Sequence, residues 1–547
     1  MARMAETFVL SKDFYPSSFL SECASDNGEK GVGLSVDKSD SMIRKRESCN
    51  QYLIDEYNRL LKKSEQATKS FRFSDLPALN HFRSLKISED EYFISVDTGN
   101  WMILARDDFE LLKSNTPNVS LAKNLEKNFI LLTGENIDSY TNKLRLRYGF
   151  LSEGPTLHIV VVTSNCNLSC IYCQASATNV AAKNMSKETA IETVNRIFES
   201  PSDSFIIEFQ GGEPLMNFSA VKTIITYANQ RAKRENKQVE YSLISNFTSI
   251  VTEEKLRFLL ENNVSICFSL DGPKELHEMN RGRNYPNAFD ILKEKVELYK
   301  QTWKSIKDEP INLKALMTTT RTSLPLFKEI VDTYIDFGTT QISIRVLTPL
   351  GKASETNKNL SYTPEEFIDF WKQSVAYILQ LRTKGIDISE FYLELILTKL
   401  FGNETGFMDL RSPCGAGYGQ ITYNYDGQVY TCDEGRMIYS DYFNIGNVFN
   451  QNLSSILRSE RAIDVHNASI LEQYYCDYCA FKPYCGVCPV LHYQQKGTLQ
   501  TNVLETDHCN VFSRMIMHVV QSLLNDPLAR KEFEKILLGV NWQKIES

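Results

Sequence analysis

Short apolar runs alternate with amphipathic stretches between Thr156 and Leu350. Six of the apolar runs have the length and the β-branched and aromatic content of buried strands: LHIVVVT, FIIEFQ, VEYSLIS, VSICFSLD, INLKALMT and QISIRVL. Between these runs, apolar residues recur at helical spacing in Lys187–Glu199, Phe218–Arg234, Glu253–Glu261, Ala288–Thr302 and Leu324–Phe337. Strands that alternate with helices form a parallel sheet covered by helices. We therefore expect an α/β fold, a partial (β/α)6 TIM-like barrel whose site lies at the C-terminal strand ends.

The pattern changes on both sides of this barrel. Before it, the runs EYFISV and NWMILA flank a turn signal at Asp97-Thr98-Gly99-Asn100. Helical patterns follow at Asp107–Lys113, Leu121–Leu132 and Ser139–Arg147. We expect six segments: a polar extension with a short helix near Gln51–Lys63 (1–70), a small α+β module like a winged helix (71–154), the barrel (155–355), a helical linker (356–410), a cysteine-rich domain (411–515) and a helical tail (516–547).

Helix-end signals support several of these elements. Thr363 and Glu366 have the spacing of a capping box around Pro364, which predicts the start of a long helix that runs to Lys384. Thr252 is a candidate N-cap, and Gly338 is a candidate residue just past a helix end.

Composition and charge exclude some classes of partner. The chain has 547 residues and a formal net charge of −8. A protein that binds nucleic-acid phosphates needs a basic face, so we expect no nucleic-acid partner. No apolar run is long enough to span a membrane, and the N-terminus lacks the apolar core of a signal peptide. We therefore expect no membrane partner and a cytoplasmic location, where clustered cysteines more often bind metal than form disulfides.

The 13 cysteines fall in groups. Cys166, Cys170 and Cys173 follow the first barrel strand in VVTSNCNLSCIYCQAS. Three thiolates can bind three irons of a [4Fe–4S] cluster and leave the fourth iron open to a substrate or cofactor. The alternative is a zinc site that a distant residue completes. Cys23, Cys49 and Cys267 stand alone and are interpreted as incidental or core thiols.

The spacing CxxxCxxC, with Tyr172 before the last cysteine, resembles the radical S-adenosylmethionine (SAM) enzymes. The resemblance covers the barrel and includes Gly211-Gly212-Glu213-Pro214 after the second strand. It implies that a [4Fe–4S] cluster binds SAM, that the four-residue motif holds the amino group of SAM, and that Glu213 accepts hydrogen bonds from it. Without the cysteines, the same motif would be read as an ordinary turn.

Later strand ends extend the resemblance. It implies contacts to the ribose or carboxylate of SAM by residues at the ends of the third and fourth strands, and a contact near adenine at the end of the sixth. It also makes one arginine a candidate for an anionic partner. These candidates are Ser245, Asn246, Ser269, Asp271, Arg281 and Leu347.

The last quarter of the chain resembles the SPASM extension, which carries two auxiliary [4Fe–4S] clusters. The resemblance implies an outer cluster held by Cys476, Cys479, Cys485 and Cys509, and an inner cluster held by Cys414, Cys432 and Cys488. The inner set lacks a fourth cysteine, so water, substrate or another side chain would complete it. The gap before Cys488 is two residues where the family has three, and a zinc ribbon of Cys476, Cys479, Cys485 and Cys488 is the alternative.

The resemblance implies an enzyme that reductively cleaves SAM to a 5′-deoxyadenosyl radical and modifies a ribosomally made precursor peptide or a protein at a C–H bond. It also implies a low-potential electron donor such as flavodoxin or ferredoxin. Within the family, PTLHIVVVTSNCNLSCIYCQAS is similar to maturases of the His-Xaa-Ser peptide system. The 71–154 module would bind the peptide leader, or would be a simple structural cap.

Two other functions remain open at this stage. One is a sulfatase maturase that oxidises Cys or Ser to formylglycine. The other is a non-catalytic iron–sulfur sensor. No catalytic acid, base or hydrogen donor can be identified from the sequence.

Overall fold

The computed structural model describes residues 77–545 except 178–181, 249, 356–359, 403–407, 409 and 439. The helix predicted near Gln51–Lys63, and Cys23 and Cys49, lie outside the described residues. The chain forms two compact units. The first contains Ser88–Ile94 and Met102–Asp138 with the described residues up to Phe82, and the second contains Arg83–Ile87, Ser95–Trp101 and the chain from Ser139 onward. The predicted boundary at residue 154 does not coincide with this division, and the six-segment scheme stays a prediction.

The elements before the barrel are short. They are β1 (Ala78–Leu79), β2 (Phe82–Lys86), β3 (Glu91–Val96), β4 (Trp101–Ala105), α1 (Arg106–Lys113), α2 (Val119–Lys127), β5 (Leu131–Leu132) and α3 (Ile137–Tyr148). β1 pairs with β5, and β2, β3 and β4 follow one another in a three-stranded sheet. The predicted turn is confirmed, with Gly99 at φ +82°. The helix predicted to Leu132 ends at Lys127 because Phe129 adopts a positive φ of 57°.

Six parallel strands in chain order confirm the predicted barrel. They are β6 (Leu157–Val161), β7 (Ser204–Gln210), β8 (Gln238–Ser245), β9 (Val264–Ser269), β10 (Lys314–Thr318) and β11 (Gln341–Arg345). Between them lie α4 (Lys187–Ile197), α5 (Phe218–Glu235), α6 (Glu253–Glu261), α7 (Lys274–Arg281), α8 (Ala288–Ile306) and α9 (Phe327–Phe337). Thr252 caps α6 by accepting from the Lys255 amide, and Gly338 ends α9 at φ +84°, as predicted.

The sheet extends beyond the six strands on both sides. On one side β12 (Ser389–Glu390) pairs in parallel with β11. On the other side β13 (Gln420–Tyr423) pairs in parallel with β6, and the antiparallel strands β14 (Gln428–Tyr430) and β15 (Asn444–Asn447) follow. The result is one ten-stranded sheet, in which the cysteine-rich region continues the barrel.

The long helix after the barrel has the predicted cap. After α10 (Lys352–Glu355), helix α11 (Pro364–Thr383) begins with a reciprocal pair of bonds between Thr363 and Glu366. It leads to β12 and α12 (Phe391–Phe401). Glu390, at the start of α12, is fully buried and accepts from the Trp371 indole and the Leu393 amide, both at 2.8 Å.

Glu390 predicts a pH dependence of stability. Burial raises its pKa to about 7 against hydrogen bonds that lower it. Between its unfolded pKa of about 4.5 and about 7, only the folded state keeps the proton, so raising the pH through this window destabilises the fold by up to about 3 kcal/mol. In urea titrations at stepped pH, we expect Glu390→Gln to lose less stability across this window than the wild type. The exposed control Glu309→Gln should follow the wild-type profile, and parallel profiles for all three proteins would contradict the prediction.

The C-terminal part is made of short helices and two longer ones. They are α13 (Asp433–Met437), α14 (Leu453–Leu457), α15 (Glu460–Asn467), α16 (Pro489–Lys496), α17 (Asp507–Asn525) and α18 (Pro527–Ile545). Single 3-10 turns at Tyr475–Tyr478 and Lys482–Tyr484 occupy the segment between α15 and α16. Among the described helices, none combines the length and apolarity needed to cross a bilayer.

Candidate functional site

The loop after β6 gathers the three barrel cysteines. Cys166, Cys170 and Cys173 pack in one cluster, with Cys166 buried and the other two half-buried. Backbone amides point at two of the sulfurs: Leu168 donates to Cys166 Sγ at 3.4 Å, and Ala177 donates to Cys173 Sγ at 3.4 Å. Such N–H···S bonds favour thiolate ligands, so the loop is shaped for a metal site before any metal is added.

The two glycines after β7 bring their backbone against this loop. Gly212 donates to the Thr163 carbonyl at 2.8 Å, and Glu213 donates to the Asn165 carbonyl at 2.7 Å. A Cβ on Gly211 would lie 2.6 Å from the Thr163 oxygen, and one on Gly212 would lie 2.7 Å from the Asn165 carbonyl carbon. The glycines are therefore required by the approach of the cysteine loop itself.

This packing predicts that Gly212→Ala misplaces the cysteine loop. A displacement of about 1 Å at a reacting centre can cost about 100-fold in rate. We expect 5′-deoxyadenosine formation from SAM to fall by about that factor in a chromatographic assay. Gly149→Ala is the matched control, because a Cβ there meets nothing within 4 Å. Full activity of the Gly212 variant would contradict the packing argument.

Glu213 joins the ends of β7 and β8. Its carboxylate is buried and accepts from the Leu215 amide at 3.0 Å, the Ser245 hydroxyl at 3.0 Å and the Asn246 amide at 2.7 Å. Burial raises the pKa of Glu213 to about 7, although these hydrogen bonds lower it. Burial and then the Glu213 charge raise the pKa of the Cys166 thiol to about 12. A cationic metal cluster would offset this cost of a buried thiolate.

The predicted residues Ser245 and Asn246 reach the cysteines from β8. The side-chain amide Nδ2 of Asn246 donates to Cys166 Sγ at 3.6 Å and to Asn167 Oδ1 at 2.9 Å. Ser245 accepts from the Phe247 amide at 3.0 Å while it donates to Glu213. The ends of the first three barrel strands therefore form one hydrogen-bonded unit around the loop. Pro214 is buried at the first position of the 3-10 turn that follows.

Asp271 and Arg281 form a buried ion pair below the loop. The Arg281 guanidinium binds both carboxylate oxygens, each at 3.1 Å, and stacks 5.3 Å over the Tyr172 ring. Asp271 also accepts from the Tyr172 hydroxyl at 2.5 Å and from Asn280 at 3.1 Å. Burial alone would raise the pKa of Asp271, but the Arg281 charge outweighs it and the pKa is lowered. The anionic partner of Arg281 is thus Asp271 itself, and a ribose contact by Asp271 or the neighbouring buried Ser269 stays a prediction.

The end of β11 also contacts the cysteine loop. Leu347 packs in a cluster with Tyr172 and Cys170. The Lys352 amide donates to the Cys173 carbonyl at 3.0 Å, and a Cβ on Gly351, at φ +54°, would lie 2.8 Å from the same oxygen. The predicted residues on five strand ends therefore converge on one loop, as a barrel active site requires.

A polar cluster that sequence reasoning missed lies on the open face of the sheet. Along β7, Phe205, Ile207 and Phe209 are buried, whereas Glu208 and Gln210 point to the other face and are half-buried. Glu208 accepts from Gln210 at 2.8 Å and from Ser242 of β8 at 3.0 Å. Gln210 also donates to Asp433 at 3.4 Å. The two-residue period of β7 was the signal that could have revealed this polar face.

Cys267 belongs to this face and not to the apolar core. It alternates with the buried Ile266 and Phe268. Burial, and then the charge of Glu208, raise the pKa of its thiol to about 12. The side chain of Cys267 thus lies on the polar side of β9, and its interpretation as a small buried or incidental thiol is unchanged.

The seven C-terminal cysteines divide into two groups. The inner group packs in one apolar cluster and consists of Cys414, Cys432 and Cys488. The outer group consists of Cys476, Cys479, Cys485 and Cys509. Burial is the largest cause that raises the pKa of the Cys485 thiol, and the charges of the other three cysteines raise it further. A zinc ribbon would need Cys488 beside Cys485, and the structure does not bring these two thiols into one group.

The chain turns sharply between Cys485 and Cys488. Gly486 passes so close to Arg411 that a Cβ would lie 2.5 Å from the Arg411 carbonyl oxygen. Cys488 then stands at the N-cap position of α16, with Pro489 at the first helical position. The short gap before Cys488 is therefore compatible with a place in the inner group.

The donor sets fit iron–sulfur clusters. Every described cysteine is a thiol and none is part of a disulfide. In both C-terminal groups, burial and neighbouring thiols raise the pKa values, for Cys476 to about 12. Thiolate ligands become favourable there only with a cation among them.

The comparisons with known proteins agree with this geometry. The chain matches the Radical SAM superfamily over residues 160–306 and the iron-sulfur cluster-binding domain SPASM over residues 414–489. The radical SAM cyclopropyl synthase TigE of Paramaledivibacter caminithermalis is 22% identical over 441 residues, which are 76% of this chain and 85% of that protein. A cysteine-type anaerobic sulfatase-maturating enzyme of Clostridium perfringens is 23% identical over 382 residues, 68% of this chain and 98% of that protein.

A solved structure shares the fold. Native anSMEcpe with bound AdoMet and Cp18Cys peptide superposes with a TM-score of 0.57 at 21% identity, and the match covers 69% of this chain and 100% of that chain. The parallel barrel, the cysteine loop at its C-terminal edge and the two family matches lead to one assignment. The chain contains a domain of the Radical SAM superfamily, followed by a C-terminal SPASM domain of the iron-sulfur cluster-binding type.

Proposed function

We propose that this radical SAM enzyme oxidatively modifies a ribosomally synthesised peptide or a protein at a C–H bond. The observation that carries the proposal is the three-cysteine loop at the C-terminal barrel edge, onto which the Gly212 and Glu213 backbone is hydrogen-bonded. A three-thiolate set leaves one iron of a [4Fe–4S] cluster open for SAM. When bound and reduced, this pair of cofactors supplies a carbon radical able to abstract a hydrogen atom.

Most of the predicted barrel residues have a role in this proposal. Cys166, Cys170 and Cys173 hold the cluster, and Asn246 supports Cys166 through its 3.6 Å bond to the sulfur. Glu213 positions the ends of β7 and β8, and its acceptor capacity is largely used by the protein. The Gly211–Pro214 backbone, Ser245, Ser269 and Leu347 lie around the loop, where the methionyl, ribose and adenine parts of SAM would bind.

The polar face of the barrel supports a peptide substrate. Glu208, Gln210, Ser242 and Asp433 place carboxylate, amide and hydroxyl groups on the open side of the sheet. These groups hydrogen-bond to one another in the structure, and they have further donor and acceptor capacity for the amide groups of an extended peptide. anSMEcpe, which shares the fold, has been solved with a peptide bound.

The outer and inner cysteine groups would hold the two auxiliary [4Fe–4S] clusters. Oxidation of the substrate requires that an electron leave after hydrogen abstraction, and clusters in the same chain provide a path for it. SAM cleavage also requires one electron from outside, which a low-potential donor such as flavodoxin or ferredoxin would deliver. A leader-binding role for residues 71–154 and a cytoplasmic location stay predictions.

The experiment that tests the function uses anaerobically reconstituted protein with reductant and SAM. The first substrate is a synthetic peptide encoded by a small reading frame beside the gene. We expect the peptide to lose the mass of two hydrogen atoms, with one equivalent of 5′-deoxyadenosine formed per event. Unchanged peptide together with SAM turnover on other substrates would overturn the peptide assignment.

The second candidate function is that of a sulfatase maturase. The 98% coverage of the Clostridium perfringens sulfatase-maturating enzyme favours it. A cysteine-containing sulfatase peptide in the same assay separates the two. Conversion of that cysteine to formylglycine, detected by hydrazine labelling, would establish the second function and assign the C–H oxidation to a sulfatase in place of a precursor peptide.

A further inference from the structure

The inner cysteine group lacks a fourth thiol among the described residues. Cys476, Cys479, Cys485 and Cys509 belong to the outer group, and the barrel cysteines and Cys267 belong to the barrel. A [4Fe–4S] cluster held by Cys414, Cys432 and Cys488 therefore has one iron that needs another ligand or stays open. Which of the two applies decides whether this cluster can bind substrate or only carries electrons.

A carboxylate lies beside this group. The ligand atoms of Cys432, Asp433 and Glu434, one sulfur and two carboxylate oxygens, all lie within 4.8 Å of one another. Cys432 is the N-cap of α13, and its sulfur accepts from the Gly435 amide at 3.2 Å. Gly435 is packed tightly, because a Cβ there would lie 2.8 Å from the Thr431 hydroxyl and 3.0 Å from Phe443. The turn that carries both carboxylates is therefore fixed.

The two carboxylates have different surroundings. Asp433 accepts from Gln210 of the barrel, and its charge raises the pKa of Glu208, so it faces the open side of the sheet. For Glu434, a carboxylate oxygen lies within 4.8 Å of the Cys432 sulfur. Glu434 is half-buried, and the neighbouring Cys432 packs in one cluster with Cys414 and Cys488.

We propose that the Glu434 carboxylate is the fourth protein ligand of the inner auxiliary cluster, together with Cys414, Cys432 and Cys488. This rests on the proposed function, in which the inner group holds a [4Fe–4S] cluster. Carboxylate oxygen is an accepted ligand of iron in proteins. The cluster is then fully coordinated by protein and carries electrons, and its mixed ligand set tunes its potential away from that of a four-thiolate cluster.

The test isolates the auxiliary clusters. A full-length background variant with Cys166, Cys170 and Cys173 changed to alanine should bind about eight irons, as two [4Fe–4S] clusters do. In this background, Glu434→Ala, Glu434→Cys and Asp433→Asn are compared with the parent. Electron paramagnetic resonance spectra of the reduced proteins are recorded with and without imidazole, a probe that binds an open iron.

We expect imidazole to leave the spectra of the parent and of Asp433→Asn unchanged and to shift the inner-cluster signal of Glu434→Ala. Loss of about four irons in Glu434→Ala alone would support the proposal equally, because Glu434→Cys then restores them. Glu434→Cys should also be insensitive to imidazole and have a more negative midpoint potential.

Three outcomes would overturn the ligand assignment: an imidazole shift in the parent, an imidazole-insensitive and fully loaded Glu434→Ala protein, or an Asp433→Asn protein that behaves like Glu434→Ala. If the proposed function itself is wrong, the iron content of the background variant shows it. A background variant with about four irons would show that only one auxiliary cluster exists, and the assignment of the inner group itself would fail.

Discussion

Cys166→Ala is expected to reduce 5′-deoxyadenosine formation to background, a loss of at least about a million-fold, the lower range of what enzymes contribute. The variant should bind about eight irons where the wild type binds about twelve. Cys166 has the largest expected effect because its sulfur is buried, accepts a hydrogen bond from the Asn246 side chain and is influenced by the Glu213 charge. Colorimetric iron analysis and a chromatographic assay under reductant measure both effects.

Cys267→Ala is the matched control for the iron count. Its thiol is also buried in the barrel, but it lies on β9 beside Glu208 and outside every cysteine group. We expect about twelve irons in this variant. If Cys166→Ala still produced 5′-deoxyadenosine, the radical mechanism would be refuted. A wild-type protein with about four irons and bound zinc would refute the two auxiliary clusters.

Asp271→Ala is expected to destabilise the fold by about 3–5 kcal/mol, the cost of breaking a buried ion pair. The substitution leaves the Arg281 guanidinium buried without its counter-charge, and it removes the acceptor of the Tyr172 hydroxyl. Because Tyr172 lies between Cys170 and Cys173, the loop should also lose its cluster more readily. Thermal melting and iron retention on dilution into chelator measure the two effects.

Graded variants separate charge from shape at this site. Asp271→Asn keeps the size and one acceptor oxygen and should have an intermediate effect, while Tyr172→Phe removes a single hydrogen bond and should cost about 1 kcal/mol. A wild-type-like Asp271→Ala protein would show that the ion pair does not support the loop.

The coupling between Asp271 and the cysteine loop changes how a strand-end motif is interpreted. The resemblance makes Asp271 a candidate for a ribose contact, and the structure gives its carboxylate four protein donors. In the same way, Gly211 and Gly212 are needed for close backbone packing. Residues at these strand ends can thus stabilise the cysteine loop in addition to binding a ligand.

Local features of the sequence were enough to predict most of the barrel. Six strands, the capping box of Thr363 and Glu366, and the helix end at Gly338 follow from two-residue and 3.6-residue periods and from cap chemistry, which act over a few neighbouring positions. The cysteine spacing was likewise sufficient for the family. The end of α2 was misplaced because a single positive φ, at Phe129, decides where this helix stops.

The sequence by itself determined the element types, the barrel and the inventory of thiols, because each of these depends on residues close together in the chain. Only the tertiary structure decided that β13 joins β6, that Asp433 meets Gln210, and that Cys488 lies with Cys414 and Cys432 although it is three residues from Cys485. These contacts join residues up to 263 positions apart, as Leu157 and Gln420 are, or depend on a turn at Gly486. Their physical cause is packing between distant segments, which no local period or spacing contains.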